Sequence, residues 1–341
     1  MKIEVYSPTI RRKEMAAVLA AMADDRVGPG EGSRMLVQSA REYLEFDHAL
    51  ALRSPARALF IALESLSLSD GDGVLVSALA PRYYAQVLSE LRLRPVFCDT
   101  APGSACTDAA LMGAALAREG GRCIVASHSL GFVPDMEAIC GLGLPVIEDI
   151  SQSYGGSYGG KPAGSLGQLV ILGLEEQDML TAGGGALLYA PKRREAGVLR
   201  GLEPLSEYSL PDLNAAMAAV QFKEAPRNLE RRRAIAQVYL QAAQRTRHRQ
   251  FQSAGEGEYN NYAFPLILET GMKDVKAYAK KKDIVVESAF DSRSLIGSVP
   301  EAAESVPEAW SLSLRTALFP LYPRLGSSET EKIAKLIMTL P

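Results

Sequence analysis

Three acidic residues lie close together in the segment GLEEQDMLTAGGGALLYA, residues 173–190. Glu175, Glu176 and Asp178 follow one short apolar run and precede another, which predicts a loop between two strands. Carboxylates in a loop can ligate a metal ion, and a carboxylate in a dry pocket can act as a general base. Because clustered acids are usually solvated and no histidine accompanies these, we expect no metal site.

Another carboxylate, Asp149, ends the apolar run LPVIEDI and precedes the glycine-rich segment SYGGSYGGKPAGSLG. Ligands of open α/β sheets bind outside the carboxyl ends of the strands, which predicts a ligand beside Asp149. An aspartate at this junction can equally cap the following helix. The residues alone leave both roles open.

The elements around these acids alternate in type. HALAL, GVLVSA, RPVFCDT, CIVASH and LPVIEDI are short runs, and helical periodicity follows each of the first four. This alternation predicts an α/β fold with a mostly parallel sheet between helices. The closely spaced runs QLVILGL and GALLYA predict a hairpin-like or mixed edge.

The pattern changes after a long helical segment that contains Pro226. A proline within a helical pattern predicts a kink or a restart of the helix. We place a boundary near residue 230, with a large domain over 1–230 and a small C-terminal α+β domain over 231–341. Residues 291–312, which are rich in Ser, Glu and Pro, are predicted to form a loop.

Composition argues against several classes of protein. The 341 residues are 47% hydrophobic and 23% charged, which is typical of a globular protein with a sizeable core. The net charge of -3 argues against a nucleic-acid-binding surface. We find no signal peptide, no membrane-spanning run and no CxxC pair, and we expect a cytoplasmic protein with reduced cysteines.

Several motifs occur in a fixed order along the chain. They are VGPG at 27–30, RPVFCDT at 94–100, SHSLGFVPDMEAI at 127–139, VIEDISQSYGGSYGGKPAGSLG at 146–167 and NAAMAAVQF at 214–222. In these motifs the chain resembles the DegT/DnrJ/StrS family of nucleotide-sugar aminotransferases. The resemblance implies the fold of a fold-type-I, pyridoxal-phosphate (PLP)-dependent aminotransferase, and a homodimer with active sites at the subunit interface.

The resemblance also implies roles for residues that are kept. Asp149 corresponds to the carboxylate that pairs with the pyridine nitrogen of PLP, and Gln152 to the glutamine beside the ring oxygen. Ser54 corresponds to the first residue of the phosphate-binding helix start, where it can also simply cap the helix. For His128, which matches a family histidine, we expect the role of a hydrogen-bonded core or turn residue.

The family lysine that carries PLP as a Schiff base has no counterpart. Counted without a gap from Gly164, its position falls on Asp178, and a carboxylate cannot form an imine. Lys161 and Lys192 lie outside the loop. We therefore expect no covalent PLP, and the binding of PLP or of pyridoxamine phosphate (PMP) is itself doubtful.

The phosphate-binding residues of the family have also changed. Pro55 has no N–H group, Ala56 has no hydroxyl, and Gly173 stands in place of a serine. Glu207 and Ser209 replace the asparagine and arginine of the family segment that reaches across the dimer. Each charged or bidentate donor contributes about 1–3 kcal/mol, so losing several weakens phosphate binding by orders of magnitude.

Further aromatic and basic positions bear on the cofactor. The aromatic residue that stacks on the cofactor ring corresponds to Pro81, although Tyr83 or Tyr84 can reach the same space. Arg57 and Arg82 lie near helix starts at the ligand edge and could replace the lost phosphate donors. We expect both arginines to lie on solvated helix faces instead.

These features lead to three hypotheses for the function. The first is a family member unable to transaminate through an internal aldimine, which binds a nucleotide sugar or regulates a partner, as a homodimer or with a lysine-bearing homologue. The second is a PMP-dependent sugar dehydratase-like enzyme with Asp178 as the base. The third is an ordinary aminotransferase of polysaccharide or amino-sugar biosynthesis that takes its lysine from elsewhere.

Overall fold

The computed structural model describes residues 2–202, 204–253, 255–291, 294–298 and 300–341. Within these ranges the strands are β1 (His48–Leu52), β2 (Gly73–Ser77), β3 (Arg94–Cys98), β4 (Cys123–Ser127), β5 (Val146–Asp149), β6 (Ser157–Tyr158), β7 (Lys161–Pro162), β8 (Leu169–Gly173), β9 (Ala186–Ala190), β10 (Gly257–Glu258), β11 (Phe264–Ile267), β12 (Glu287–Ser288) and β13 (Thr316–Phe319). The helices are α1 (Arg12–Ala23), α2 (Glu31–Ala40), α3 (Pro55–Glu64), α4 (Tyr83–Glu90), α5 (Ala109–Glu119), α6 (Met136–Cys140), α7 (Arg193–Arg200), α8 (Asp212–Ala243), α9 (Met272–Lys280), α10 (Pro307–Arg315) and α11 (Ser327–Met338). Short 3-10 helices form at Ser129–Gly131, Ser206–Tyr208, Ile296–Ser298 and Pro300–Ser305.

A seven-stranded sheet with the order β1-β9-β8-β5-β4-β2-β3 forms the centre of the molecule. Strands β8, β5, β4, β2 and β3 are parallel to one another, and β9 is antiparallel to both of its neighbours. The α/β class, the mostly parallel sheet and its mixed edge are confirmed.

Helices cover both faces of this sheet because side chains of a strand point alternately to opposite faces. Val74 and Val76 of β2 pack in one buried cluster with residues of α3 and α4. Leu75, between them, packs in another cluster with residues of α5 and α6. The strands are consequently apolar on both sides, as the nearly continuous runs of Val, Ile and Leu in the sequence predict.

The helix α8 extends over 32 residues and contains Pro226, so the expected restart of the helix was wrong, and the alternative of a kink stays a prediction. Its side chains pack against α1, α2 and α11, and these tertiary contacts hold the helix together where proline removes one hydrogen bond. Residue 230 lies inside α8, and the division of the chain into domains at that point stays a prediction.

The C-terminal part contains a second sheet, antiparallel, with the order β11-β13-β12. Its buried side chains pack with those of α9, α11 and the second half of α8. The loop predicted over 291–312 was wrong for most of the described residues, which form two 3-10 helices and the start of α10. Buried Leu295, Ile296, Val306, Ala309 and Leu312 anchor these turns. Residues 292, 293 and 299 lie outside the described residues.

Candidate functional site

A cavity of about 350 Å³ opens at the carboxyl edge of the central sheet. All four residues that the sequence nominates for a site line it: Ser54, Asp149, Gln152 and Asp178. The other lining residues are Pro55, Ala56, Pro81, Tyr83, Ser127, His128, Ser151, Glu175, Gln177 and Tyr262.

The topology explains why these side chains meet. Ser127 ends β4, Asp149 ends β5 and Gly173 ends β8, and these three strands are adjacent and parallel. The carboxyl ends of parallel strands lie at one edge of the sheet, where ligands of open α/β folds bind. The first turn of α3 closes the cavity from one side with Ser54, Pro55 and Ala56.

Four donors surround the buried carboxylate of Asp149. Its Oδ2 accepts hydrogen bonds from Tyr83 Oη at 2.8 Å and from Tyr84 Oη at 2.7 Å. Its Oδ1 accepts from Ser151 N at 3.0 Å and from Ser151 Oγ at 2.6 Å. Burial, and then the charge of Asp149, raise the pKa of both tyrosines well above their usual value, so that both hydroxyls keep their protons.

Asp178 follows β8 in a turn, and its Oδ2 accepts a hydrogen bond from Glu175 N at 2.8 Å. Burial raises the pKa of Asp178 to about 8, and the nearby Asp149 and Glu175 carboxylates act in the same direction. Burial also raises the pKa of Glu175. The described residues contain no group of three or more His, Cys, Asp or Glu side chains that could hold a metal ion.

The start of α3 offers few donors to an anion. Ser54 is the N-cap, and its Oγ accepts from Arg57 N at 3.3 Å. Pro55 occupies the first helical turn and has no N–H group. The guanidinium of Arg57 is outside the cavity, where it pairs with Glu90 at 3.0 Å and lies over the rings of Phe60 and Tyr208.

Gln152 and His128 are both held by the protein. Gln152 Oε1 accepts from Leu130 N at 2.7 Å. His128 is buried, and its Nδ1 lies 2.7 Å from Ser153 Oγ. Burial lowers the pKa of His128 to about 3, so the imidazole is neutral at physiological pH. The expected role of His128, a hydrogen-bonded core residue, agrees with this geometry.

The cavity therefore does not fit a phosphorylated pyridoxal group. Three carboxylates line it, and no lysine or arginine does so among the described residues. Lys161 lies in β7 and donates to Glu137, and Lys192 precedes α7. A phosphate dianion at this place would meet no cationic side chain among the described lining residues, and it would face a helix start in which Pro55 offers no N–H group.

Some lining residues were not identified from the sequence. Ser151 is two positions after Asp149, and its contact with that carboxylate is a local signal that could have been read. Tyr262 comes from the C-terminal part of the chain and reaches the cavity only through the tertiary fold. Nothing in the sequence around Tyr262 indicates that position.

Solved structures resemble this fold over nearly the whole chain. The aminotransferase TlmJ from Streptoalloteichus hindustanus gives a TM-score of 0.88 at 21% identity, covering 98% of each chain. The E. coli GDP-4-keto-6-deoxy-D-mannose-3-dehydratase with bound hydrated PLP gives 0.87 at 15% identity, covering 99% of each. The architecture is that of the fold-type-I aminotransferases.

A match to a family model identifies the family within this fold class. The model of the DegT/DnrJ/EryC1/StrS aminotransferase family matches residues 8–205 and 191–338. The chain belongs to the DegT/DnrJ/EryC1/StrS aminotransferase family, and the resemblance seen in the motifs is confirmed.

Curated relatives match this chain over part of their length. The L-glutamine:2-deoxy-scyllo-inosose aminotransferase of Streptomyces lividus is 31% identical over 183 residues, which are 52% of this chain and 42% of that protein. The UDP-4-amino-4-deoxy-L-arabinose--oxoglutarate aminotransferase of Shewanella sediminis is 27% identical over 259 residues, 68% of this chain and 66% of that protein. The matches thus span less than two thirds of the length of these relatives.

Proposed function

We propose that this protein is a member of its family that does not transaminate and binds a sugar ligand in the former cofactor cavity. The observation that carries the proposal is the carboxyl group of Asp178 in a cavity that no lysine lines among the described residues. Without a lysine amine, PLP cannot be held there as a Schiff base, and an amino group cannot be passed through an internal aldimine.

The residues that line the cavity also favour a hydroxyl-rich ligand such as a sugar. Glu175, Asp178 and Gln152 line the cavity with oxygen atoms that can accept hydrogen bonds from hydroxyl groups, and the start of α3 offers a phosphate few donors. The sugar part of a nucleotide sugar therefore enters the cavity while the diphosphate stays outside it. UDP-glucose and free glucose are suitable first probes, with thermal shift as the readout. If the sugar lies in the cavity, Asp178→Ala and Gln152→Ala should both weaken its binding. Unchanged binding in both variants would contradict this placement.

The test of the proposal is an absorbance spectrum of the purified protein before and after addition of PLP. Borohydride reduction and peptide mass mapping follow. We expect no visible band and no cofactor fixed to a specific lysine. A yellow protein with reduced cofactor on one lysine would overturn the proposal and restore an aminotransferase.

A second candidate function is a PMP-dependent dehydratase in which Asp178 is the base. The raised pKa of Asp178, about 8, favours it because a base works best near the operating pH. The similarity in fold to the E. coli dehydratase is compatible with it. Dehydration of a 4-keto sugar nucleotide by the wild type with PMP, lost in Asp178→Asn, would support this candidate. An inactive wild type would end it.

The quaternary state belongs to the same proposal. Met15, Leu19 and Met22 of α1 and Met35 of α2 are each more than half exposed, which supports a second chain, identical or a lysine-bearing homologue, covering these helices. Light scattering of the purified protein is expected to give twice the chain mass of 36.7 kDa, and Leu19→Glu is expected to halve it. A homodimer that persists when a lysine-bearing homologue is co-expressed would count against the mixed assembly.

A further inference from the structure

The carboxylate of Asp149 has no lone pair left for a cofactor. A carboxylate offers about four acceptor positions, two on each oxygen. Tyr83 and Tyr84 take the two on Oδ2, and Ser151 takes the two on Oδ1 through its N–H and hydroxyl groups. A protonated pyridine nitrogen needs one of these positions, because its own ionic partner in such enzymes is an aspartate.

We infer that Tyr83 and Tyr84 stand in for the pyridinium ring at Asp149, so that the cavity excludes PMP as well as PLP. The inference deepens the proposed function, on which it rests. PMP needs no lysine, so the absence of a lysine alone would leave PMP free to bind. The tyrosine pair acts against PMP at the ring nitrogen, in addition to the poor phosphate site.

The fold holds Tyr83 and Tyr84 in place. Both residues begin α4, Tyr84 is fully buried, and the two rings meet edge to face with centroids 5.0 Å apart. The Tyr83 ring forms part of the cavity wall. A pyridinium N–H could reach Asp149 only by displacing a hydroxyl, which would leave a buried donor unpaired.

The inference makes a prediction about restoring the cofactor. A lysine introduced at position 178 supplies the amine but leaves the partner of the pyridine nitrogen occupied. Asp178→Lys alone is therefore expected to remain without cofactor. Removing the tyrosine contacts as well, in Asp178→Lys/Tyr83→Ala/Tyr84→Phe, is expected to allow an adduct at 178.

The experiment uses PMP in calorimetry and PLP in reduction and peptide mapping. The proteins are the wild type, Asp178→Lys, Tyr83→Ala/Tyr84→Phe and the triple variant. Tyr278→Phe is the control, because it removes a tyrosine hydroxyl that bonds to Thr339 on the surface. We expect PMP to bind Tyr83→Ala/Tyr84→Phe at least tenfold more tightly than the wild type or the control, and PLP to modify position 178 in the triple variant only.

Three results would overturn the inference. They are PMP binding to the wild type, a PLP adduct in Asp178→Lys with both tyrosines present, and failure of the Tyr83→Ala/Tyr84→Phe protein to gain PMP although it unfolds cooperatively. PLP fixed to a native lysine of the wild type would instead overturn the proposed function. An adduct confined to Asp178→Lys would leave the proposed function standing.

Discussion

The carboxyl group of Asp178 lies directly against Gly173, at the end of β8. A Cβ atom added at Gly173 would be 2.2 Å from Asp178 Oδ2 and 2.8 Å from Ser151 Oγ, both too close for any real side chain. Positions 173 and 178 are therefore sterically coupled. An acid at 178 can fold into this space only because position 173 carries no side chain.

This coupling predicts the effect of Gly173→Ala. The added methyl group displaces Asp178 and Ser151, and we expect a loss of about 1–3 kcal/mol in the free energy of unfolding, measured with urea. Gly197→Ala is the matched control, because nothing lies within 4 Å of its added Cβ and alanine favours helix. In an Asp178→Ala background the cost of Gly173→Ala is expected to shrink, and equal costs in both backgrounds would disprove the coupling.

The raised pKa of Asp178 predicts how stability depends on pH. The folded-state pKa is about 8, and the unfolded value is about 3.9. Below about pH 4 both states carry the proton, and as the pH rises to 8 only the unfolded state releases it. Folding therefore loses stability over this window, and Asp178→Asn removes the loss.

The measurement is the urea midpoint of wild type and Asp178→Asn at several pH values between about 4 and 8. The variant is expected to gain on the wild type as the pH rises. Glu176→Gln, an exposed acid of the same turn, is the control and should track the wild type. Parallel curves for Asp178→Asn and wild type would mean that Asp178 ionises normally.

Local patterns predicted much of this molecule. The apolar runs of the central sheet, such as GVLVSA and VIEDI, are dictated by burial on both faces, and the structure places both as strands that run parallel to β4, one on each side of it. The predicted interruption of α8 at Pro226 was not a restart of the helix, because packing against three helices outweighs one lost backbone hydrogen bond. The turns around Leu295 and Val306 were missed for a similar reason: sparse apolar residues were buried by partners distant in sequence.

From the sequence, the location of the site could be predicted only from the positions of the strand ends. Asp149 ends a strand and Asp178 follows one, so their meeting at one edge of the sheet could be expected. The tyrosine contacts to Asp149 could not, because they depend on where α4 begins relative to β5. The sequence indicated only that Tyr83 or Tyr84 could reach the space of the cofactor ring.

Burial of His128 predicts acid sensitivity. Its pKa is about 3 in the folded state and about 6.5 in the unfolded chain, so only the unfolded state gains a proton as the pH falls from about 6.5. Stability is expected to decline with a slope of up to about 1.4 kcal/mol per pH unit from this residue. His128→Asn should show a shallower decline in urea midpoints between about pH 7.5 and 5.5, and an unchanged slope would exclude this source.

The glycine-rich segment after β5 is hydrogen-bonded to the buried carboxylate of Glu148, and this contact leads to a prediction about stability. Buried Glu148 accepts hydrogen bonds from Gly164 N at 2.6 Å, Gly167 N at 2.8 Å and Leu166 N at 3.4 Å. One carboxylate thus organises the backbone of the segment GSLG, which gives the motif a role in folding that does not depend on any cofactor.

Glu148→Gln replaces one acceptor oxygen by an NH₂ group that faces backbone N–H donors. We expect a loss of about 1–3 kcal/mol in the free energy of unfolding, since a buried donor is left unpaired. Glu137→Gln, at an exposed acid paired with Lys161, is the control and should change stability by less than about 1 kcal/mol. Because Glu148 is absent from the cavity lining, sugar binding should survive in Glu148→Gln wherever the protein remains folded. A variant as stable as the wild type would show that the segment holds its shape without this carboxylate.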